Sequence, residues 1–186
     1  MKKRHKLVSL VFVLIIIGII AVKHFHIEGF RAVKEGVLYV SSQPKGMDYA
    51  RLMYKFRIKT IVNVCLESES KFYEEELVKT KMLGIRYVPI PIEQSRTFPN
   101  ELEQKQFLKI MSEKQNRPVL LHGHNIDVRA AMLAAVWLRC AEGYDSSKAA
   151  KAAEALINRP LHDSEIKFIE QLPADKSAIA AAQPQH

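Results

Sequence analysis

The chain has 186 residues, of which 28 are lysine or arginine, 20 are aspartate or glutamate, and 48% are hydrophobic. This length allows one domain of about 150 residues with attachments and excludes two full domains. Seven glycines and eight prolines exclude a collagen-like or low-complexity chain. Half of the net charge of +8 belongs to residues 1–6. The remaining chain is only weakly basic, so the composition predicts no nucleic-acid partner.

The first 25 residues are predicted to form a membrane anchor. The basic residues 1–6 precede an uncharged apolar run over residues 7–22. As a helix this run spans roughly 24 Å, somewhat less than a hydrocarbon core of roughly 30 Å, but Lys23 can reach the interface. A cleaved signal peptide is the alternative, and residues 19–23 contain no convincing small-x-small cleavage site. The sequence therefore favours an uncleaved, single-pass anchor in the inner (plasma) membrane.

The distribution of basic residues predicts the orientation of the chain. Residues 1–6 are expected to stay in the cytoplasm, which places the C-terminal domain on the extracytoplasmic side. Lys23, Arg31 and Lys34 weaken this asymmetry. The predicted boundaries are an anchor at 1–25, a juxtamembrane linker at 26–35, a domain at 36–172 and a disordered tail at 173–186.

Strand-like and helix-like segments alternate after the linker. Strands are predicted at residues 36–41, 59–65, 85–90 and 118–122. Helices are predicted at residues 48–56, 70–83, 100–114, 130–141, 146–156 and 163–172, with Asn100 as a cap and Gly84 as a stop. This alternation predicts an α/β fold with a mainly parallel sheet of four to five strands and helices on both faces.

The junction between the fourth strand and the next helix carries the most chemical information. The loop after His122 leads to Arg129, which opens an apolar helix. At the carboxyl edge of a parallel sheet, loop N–H groups, a helix N-terminus and a guanidinium together bind anions. The predicted phosphate-binding residues are His124, Asn125, Ile126, Asp127, Val128 and Arg129.

Four segments, in this order and at this spacing, resemble the cysteine-dependent dual-specificity and tyrosine phosphatases in their small bacterial form. They are GVLYVSSQP at 36–44, IKTIVNV at 58–64, LGIRYVPIP at 83–91 and RPVLLH at 117–122. The resemblance covers residues 36–172 and implies a tyrosine-phosphatase-like fold. Enzymes of this kind share a His-Cys-x5-Arg loop, in which the cysteine attacks phosphorus and the arginine binds the phosphoryl oxygens. An aspartate about 30 residues upstream protonates the leaving group.

The resemblance places His122 and Arg129 on the family histidine and arginine, and Gly123 on the nucleophile. Glycine has no side chain and cannot form the phosphocysteine intermediate. Glu93, 30 residues before Gly123, stands where the family has its acid. No intact catalytic set is therefore predicted.

Further departures from the family pattern lie in the same loop. Ile126 replaces the family's loop glycine, Ala130 replaces a serine or threonine that supports the thiolate, and Ala131 replaces a second glycine. Several losses in one loop favour a pseudophosphatase, a domain that retains the scaffold without the covalent chemistry.

Other reactive groups leave alternatives open. His122, His124 and Asp127 are suitable ligand types for Zn or Fe, although in the resembled family the loop histidine faces inward and does not bind metal. Cys65 ends a strand at the edge that carries the loop, so it could border the pocket. Cys140 lies about 16 Å along the helix from Arg129, too far for catalysis. Both thiols are interpreted as buried and unpaired, with a disulfide as the alternative.

Two functional classes follow. The first is a membrane-tethered module that binds a phosphorylated or anionic ligand, or a protein partner, without turnover and without a cofactor. The second is a phosphatase with unconventional chemistry at the loop, including metal-dependent hydrolysis or a phosphohistidine at His124. The charged helix residues Lys71, Glu74, Glu75, Glu76 and Lys79 are interpreted as a solvated face.

Overall fold

The computed structural model describes residues 11–16, 18, 26–69, 72–125 and 128–174. Much of the predicted anchor (1–10, 17 and 19–25) and most of the predicted tail (175–186) lie outside the described residues. Residues 11–16 are helical and expose their apolar side chains. Within the described residues, no helix is long and apolar enough to cross a membrane.

The domain is built on one mixed sheet of five strands. They are β1 (Arg31–Lys34), β2 (Leu38–Ser41), β3 (Thr60–Asn63), β4 (Arg86–Pro89) and β5 (Val119–His122), in the order β1-β2-β5-β3-β4. β1 is antiparallel to β2, and the other three pairings are parallel. The predicted α/β fold with a mainly parallel sheet is confirmed, and the antiparallel edge makes the sheet mixed.

The edge strand β1 differs from the predicted linker at 26–35. Arg31 pairs with Val40 of β2, and its guanidinium donates to the carbonyl of Ala155. Lys34 pairs with Glu142 and lies over the ring of Trp137. The sequence RAVK alternates charged and small apolar residues, which is a weak strand signal unless a neighbouring strand is already in place. Two of the basic residues assigned to the juxtamembrane segment therefore contact the domain.

In the part of the chain that the structure describes, six helices cover the sheet. They are α1 (Asp48–Tyr54), α2 (Tyr73–Leu83), α3 (Glu101–Ser112), α4 (Val128–Cys140), α5 (Ser146–Ile157) and α6 (Asp163–Gln171), with 3-10 turns at Glu67–Glu69 and Lys114–Asn116. Asn100 caps α3 in a capping box with Glu103, in which both reciprocal hydrogen bonds are present. α2 ends at Gly84, whose φ of 67° is left-handed. Both helix-end predictions are confirmed.

Alternate side chains of the strands point to two different cores. Val40, Val62 and Leu121 belong to the larger core under α3 to α6, in which Trp137 is fully buried. Tyr39, Ile61 and Leu120 belong to the smaller core on the other face, together with residues of α1. This period of two is the expected consequence of strand geometry in a sheet that is covered on both sides.

The order of the strands places one loop at the centre of the carboxyl edge. β5 lies between β2 and β3, so the loop after β5 adjoins the segments that follow both neighbours. The N–H of Val64 donates to the carbonyl of His122 at 3.0 Å, and the N–H of Gln43 donates to the carbonyl of His124 at 3.5 Å. Ligand sites of open α/β sheets lie at this edge.

Candidate functional site

The loop after β5 begins where the sequence predicts it. His122 is the last residue of β5, Gly123 is buried, and His124 and Asn125 are exposed. Ile126 and Asp127 lie outside the described residues. α4 begins at Val128, so Arg129 occupies the first turn of a helix whose N-terminal end carries a partial positive charge.

The guanidinium of Arg129 is buried at the end of the sheet, and the residue is only 5% exposed. Nη1 donates to the carbonyl of Ile92 at 2.6 Å, and Nη2 contacts the sulfur of Cys65 at 3.6 Å. Cys65 follows β3 and Ile92 follows β4, so Arg129 joins three neighbouring strand ends. The prediction that Cys65 borders this site is confirmed.

His122 faces inward. Its Nε2 donates to Oε1 of Glu76 at 2.7 Å, and the side chains of His122 and Glu76 are 1% and 0% exposed. Its Nδ1 lies 3.2 Å from the carbonyl oxygen of Gly123. Both ring nitrogens of His122 therefore lie against protein oxygens, and Asp127, the third residue of the metal alternative, lies outside the described residues. Within the described part of the chain, no cluster of three or more metal-ligating side chains is found.

Glu76 is the centre of a buried polar network that crosses the sheet. Nδ2 of Asn63 lies 3.4 Å from Glu76 Oε2 and donates to the hydroxyl oxygen of Tyr87 at 2.9 Å. Oδ1 of Asn63 accepts from the N–H of Cys65 at 2.8 Å. Burial, and then the charge of Glu76, raise the pKa of Tyr87, so its hydroxyl stays protonated. The network links α2 to the ends of β3 and β5.

The interpretation of Glu76 as part of a solvated helix face is wrong. Glu76 is fully buried, whereas the neighbouring Glu74 is exposed. Tyr73, Glu76, Thr80 and Leu83 recur at spacings of three and four, and this stripe is the one that faces the sheet. The stripe was visible in the sequence, but it contains a carboxylate in place of an apolar residue, and charged side chains are rarely buried unless they are paired.

Glu93 lies beside the site but its side chain is 64% exposed. It directly follows Ile92, whose carbonyl accepts from Arg129. Its carboxylate accepts from Ser95 Oγ at 3.3 Å and lies 4.0 Å from Nε of Arg96. Its role as a proton donor stays a prediction.

Both cysteines are buried and neither forms a disulfide, as predicted. Cys140 ends α4 and Cys65 lies at the opposite end of the domain, beside Arg129. Burial raises the pKa of the Cys140 thiol, and the charge of Arg139 offsets part of that shift. A neutral, buried thiol is a poor nucleophile.

We expect the folded chain to react with a maleimide at pH 7 about tenfold more slowly than the same chain in denaturant, because both thiols are shielded from solvent. Mass spectrometry counts the labels over time. The unfolded chain is the control and should take up two labels. Equal rates in the folded and unfolded chain would contradict the burial of Cys65 and Cys140.

The sheet order, the buried His122 and the arginine in the first turn of the following helix define a phosphatase-type α/β domain. A family model described as a DSP-PTPase phosphatase fused to NAD+ kinase matches residues 30–170. The chain therefore belongs to this family of phosphatase-like domains. No curated protein matches the chain.

Solved structures with the same fold come from several phosphatases. The core catalytic domain of Siw14, a PP-IP phosphatase from S. cerevisiae, is 20% identical with a TM-score of 0.68, covering 84% of this chain and 92% of its own. PTPMT1 in complex with PI(5)P is 14% identical with a TM-score of 0.68, covering 84% and 100%. Tk-PTP in its active form is 17% identical with a TM-score of 0.61, covering 76% and 92%. At these identities the likeness is one of fold.

Proposed function

We propose that the domain is a pseudophosphatase, held at the membrane by its N-terminal segment, that binds a phosphorylated or anionic ligand or a protein partner without turning it over. The observation that carries this proposal is the occupant of position 123. His122 and Arg129 are both buried and hydrogen-bonded, yet the residue directly after His122 is a glycine. A loop that keeps its anion-binding arginine and lacks a thiol can bind a phosphoryl group but cannot form the covalent intermediate.

The position of Arg129 supports anion binding. Its guanidinium is fixed by the carbonyl of Ile92 and by Cys65, so little side-chain entropy is lost when a ligand binds. It lies in the first turn of α4, where the helix dipole adds to its charge. A fixed arginine at a helix N-terminus is a favourable arrangement for phosphate oxygens.

The residues after Arg129 support the loss of catalysis. Ala130 and Ala131 are buried among the apolar side chains of the larger core. Neither side chain has a hydroxyl, so neither can donate a hydrogen bond to a leaving thiolate. The substitutions therefore extend from the position of the nucleophile into its supporting residues.

A second candidate is an active phosphatase that uses Cys65. The sulfur of Cys65 lies 3.6 Å from Nη2 of Arg129. A neighbouring cationic side chain is a common feature of nucleophilic cysteines. Cys65 follows β3, whereas the family nucleophile follows the strand that corresponds to β5. Catalysis by Cys65 would therefore require the substrate to approach from a different direction.

Hydrolysis of p-nitrophenyl phosphate by the full chain, purified in detergent, separates the two candidates. We expect no turnover above the uncatalysed rate, with or without Zn²⁺ or Fe²⁺, because position 123 has no nucleophile. Turnover that Arg129→Ala abolishes would overturn the pseudophosphatase proposal. Turnover that Cys65→Ser also abolishes would establish Cys65 as the nucleophile, and Cys140→Ser is the matched control.

Restoring the family residues provides the converse test. We expect Gly123→Cys alone to remain inactive, and Gly123→Cys combined with Ile126→Gly and Ala130→Ser to hydrolyse p-nitrophenyl phosphate. The restored thiol supplies the nucleophile for the covalent step, so turnover above the uncatalysed rate should be measurable. A triple variant that folds, binds phosphate and stays inactive would contradict the assignment of position 123.

A further inference from the structure

The chain enters the domain at the edge of the sheet that carries the candidate site. β1 runs antiparallel to β2, with Arg31 paired to Val40 and Lys34 paired to Leu38. The residues before Arg31 therefore lie beside the carboxyl end of β2. β2 is parallel to β5 and β3, so this end belongs to the same edge as the loop after His122.

Hydrogen bonds attach the entering segment to the site loop. The N–H of Ser42 donates to the carbonyl of Glu28 at 3.0 Å, and the next residue, Gln43, donates to the carbonyl of His124 at 3.5 Å. Ile27 is buried, so the segment is anchored by apolar packing as well. The entry point and the loop are thus separated by one short stretch of the chain after β2.

The apolar segment of the sequence ends close to this entry point. Residues 7–22 carry no charge, and His26 is the first described residue of the domain. Four residue steps from position 22 to position 26 span at most about 14 Å, whatever their conformation. If the apolar run is inserted in a bilayer, the edge that contains His124 is held within a short distance of the lipid surface.

Exposed apolar side chains lie along the same edge. Met47, Phe72 and Leu102 are 63%, 38% and 73% exposed, and each stands at the start of a helix that follows a parallel strand. Such helices begin at the carboxyl edge of the sheet. Isolated exposed apolar residues are common, but three at helix starts on one edge, next to the entry of an apolar segment, suit the interface of a bilayer.

The exposed charges of this edge have both signs. Lys45 is half-exposed and pairs with Glu28, while Glu67 and Glu93 are exposed as well. The edge therefore lacks the excess of positive charge that would attract acidic lipids in general. Selectivity for an anion would come from Arg129 and the N-terminus of α4.

We propose that the site edge faces the membrane, and that the ligand is the phosphomonoester headgroup of a lipid in that membrane. This inference rests on the proposed anchor and on the proposed anion-binding function. The bilayer covers the apolar residues at the helix starts, and the headgroup reaches Arg129 from the lipid side.

Fluorescence energy transfer from a dye on the protein to a labelled lipid measures which edge of the sheet faces the membrane. The full chain is reconstituted in phosphatidylcholine vesicles with a headgroup-labelled acceptor lipid, and a donor dye is attached at Lys45→Cys or at Lys59→Cys. Lys59 is exposed at the start of β3, roughly 20 Å from the site edge along the strand. The parent chain, with its buried thiols, is the labelling control.

We expect greater transfer from position 45 than from position 59. Equal transfer, greater transfer from position 59, or failure of the chain to remain with the vesicles would overturn the proposal. None of these results depends on whether the site binds an anion.

Thermal unfolding in vesicles with and without phosphatidic acid tests the ligand. We expect phosphatidic acid to raise the unfolding midpoint of the parent chain, and Met47→Ser with Phe72→Ser to reduce this shift. Tyr54→Ser with Met82→Ser is the matched control, because these exposed residues lie at the helix ends of the opposite edge.

Inorganic phosphate distinguishes failure of this inference from failure of the proposed function. A midpoint shift with phosphate but none with phosphatidic acid would overturn the lipid ligand and leave anion binding in place. No shift with either probe would overturn both. Equal effects of the two double variants would overturn the role of the apolar edge.

Discussion

Replacing Glu76 with alanine is expected to lower the free energy of unfolding by about 3 kcal/mol, the effect of leaving buried polar groups without a partner. Nε2 of His122 and Nδ2 of Asn63 both contact the Glu76 carboxylate. Both side chains are buried, so bulk solvent does not reach them in the native fold. Urea denaturation of the full chain, followed by the fluorescence of its single tryptophan, measures the change.

Two variants control for the change in helix propensity and for the change in side-chain volume. Glu74→Ala removes an exposed carboxylate from the same helix and should change the stability by no more than about 0.5 kcal/mol. Glu76→Gln keeps an acceptor for His122 and should cost about 1 kcal/mol. Equal effects of Glu76→Ala and Glu74→Ala would show that the buried pair does not stabilise the fold.

Replacing Arg129 with alanine is expected to abolish the stabilisation of the chain by phosphate. A ligand at 100 times its dissociation constant raises the free energy of unfolding by about 2.7 kcal/mol. That increment depends on a cation at the N-terminus of α4, and Arg129 is the buried cation there. Thermal unfolding of parent and variant over a range of phosphate concentrations gives both the affinity and the basal stability.

Arg139 is a matched control for this experiment. It lies in the last turn of α4, is also buried, and donates to the carbonyls of Tyr144 and Leu172 at 2.8 Å each. Arg139→Ala should therefore lower the basal stability, as Arg129→Ala does, and keep the full response to phosphate. A response retained by Arg129→Ala, or lost in Arg139→Ala, would contradict the assignment of the anion site.

Local patterns predicted most of the fold because the elements obey short-range rules. The β-branched run before Cys65 forms β3, and the Asn100 and Gly84 signals mark real helix ends. The sequence does not predict β1, for the opposite reason. Its four residues form a strand because β2 offers an edge to pair with, and no local signal in RAVK reports the presence of that edge.

The site was predictable in part. The loop between a buried strand and an apolar helix identified His122 and Arg129, since both lie within one short stretch of sequence. Their partners did not follow from it. Glu76 lies 46 residues from His122, and Cys65 lies 64 residues from Arg129. Contacts at such separations depend on the order of strands and on the rotation of α2, neither of which is set by neighbouring residues.

The amino-acid sequence by itself determined the single α/β domain, the apolar N-terminal run and the absence of a thiol at position 123. These are properties of composition, periodicity and residue identity, which act locally. Only the tertiary structure decided that Glu76 is buried beneath His122, that Cys65 contacts Arg129, and that the chain enters at the site edge. The physical reason is strand order: placing β5 between β2 and β3 brings together side chains that are distant in the chain.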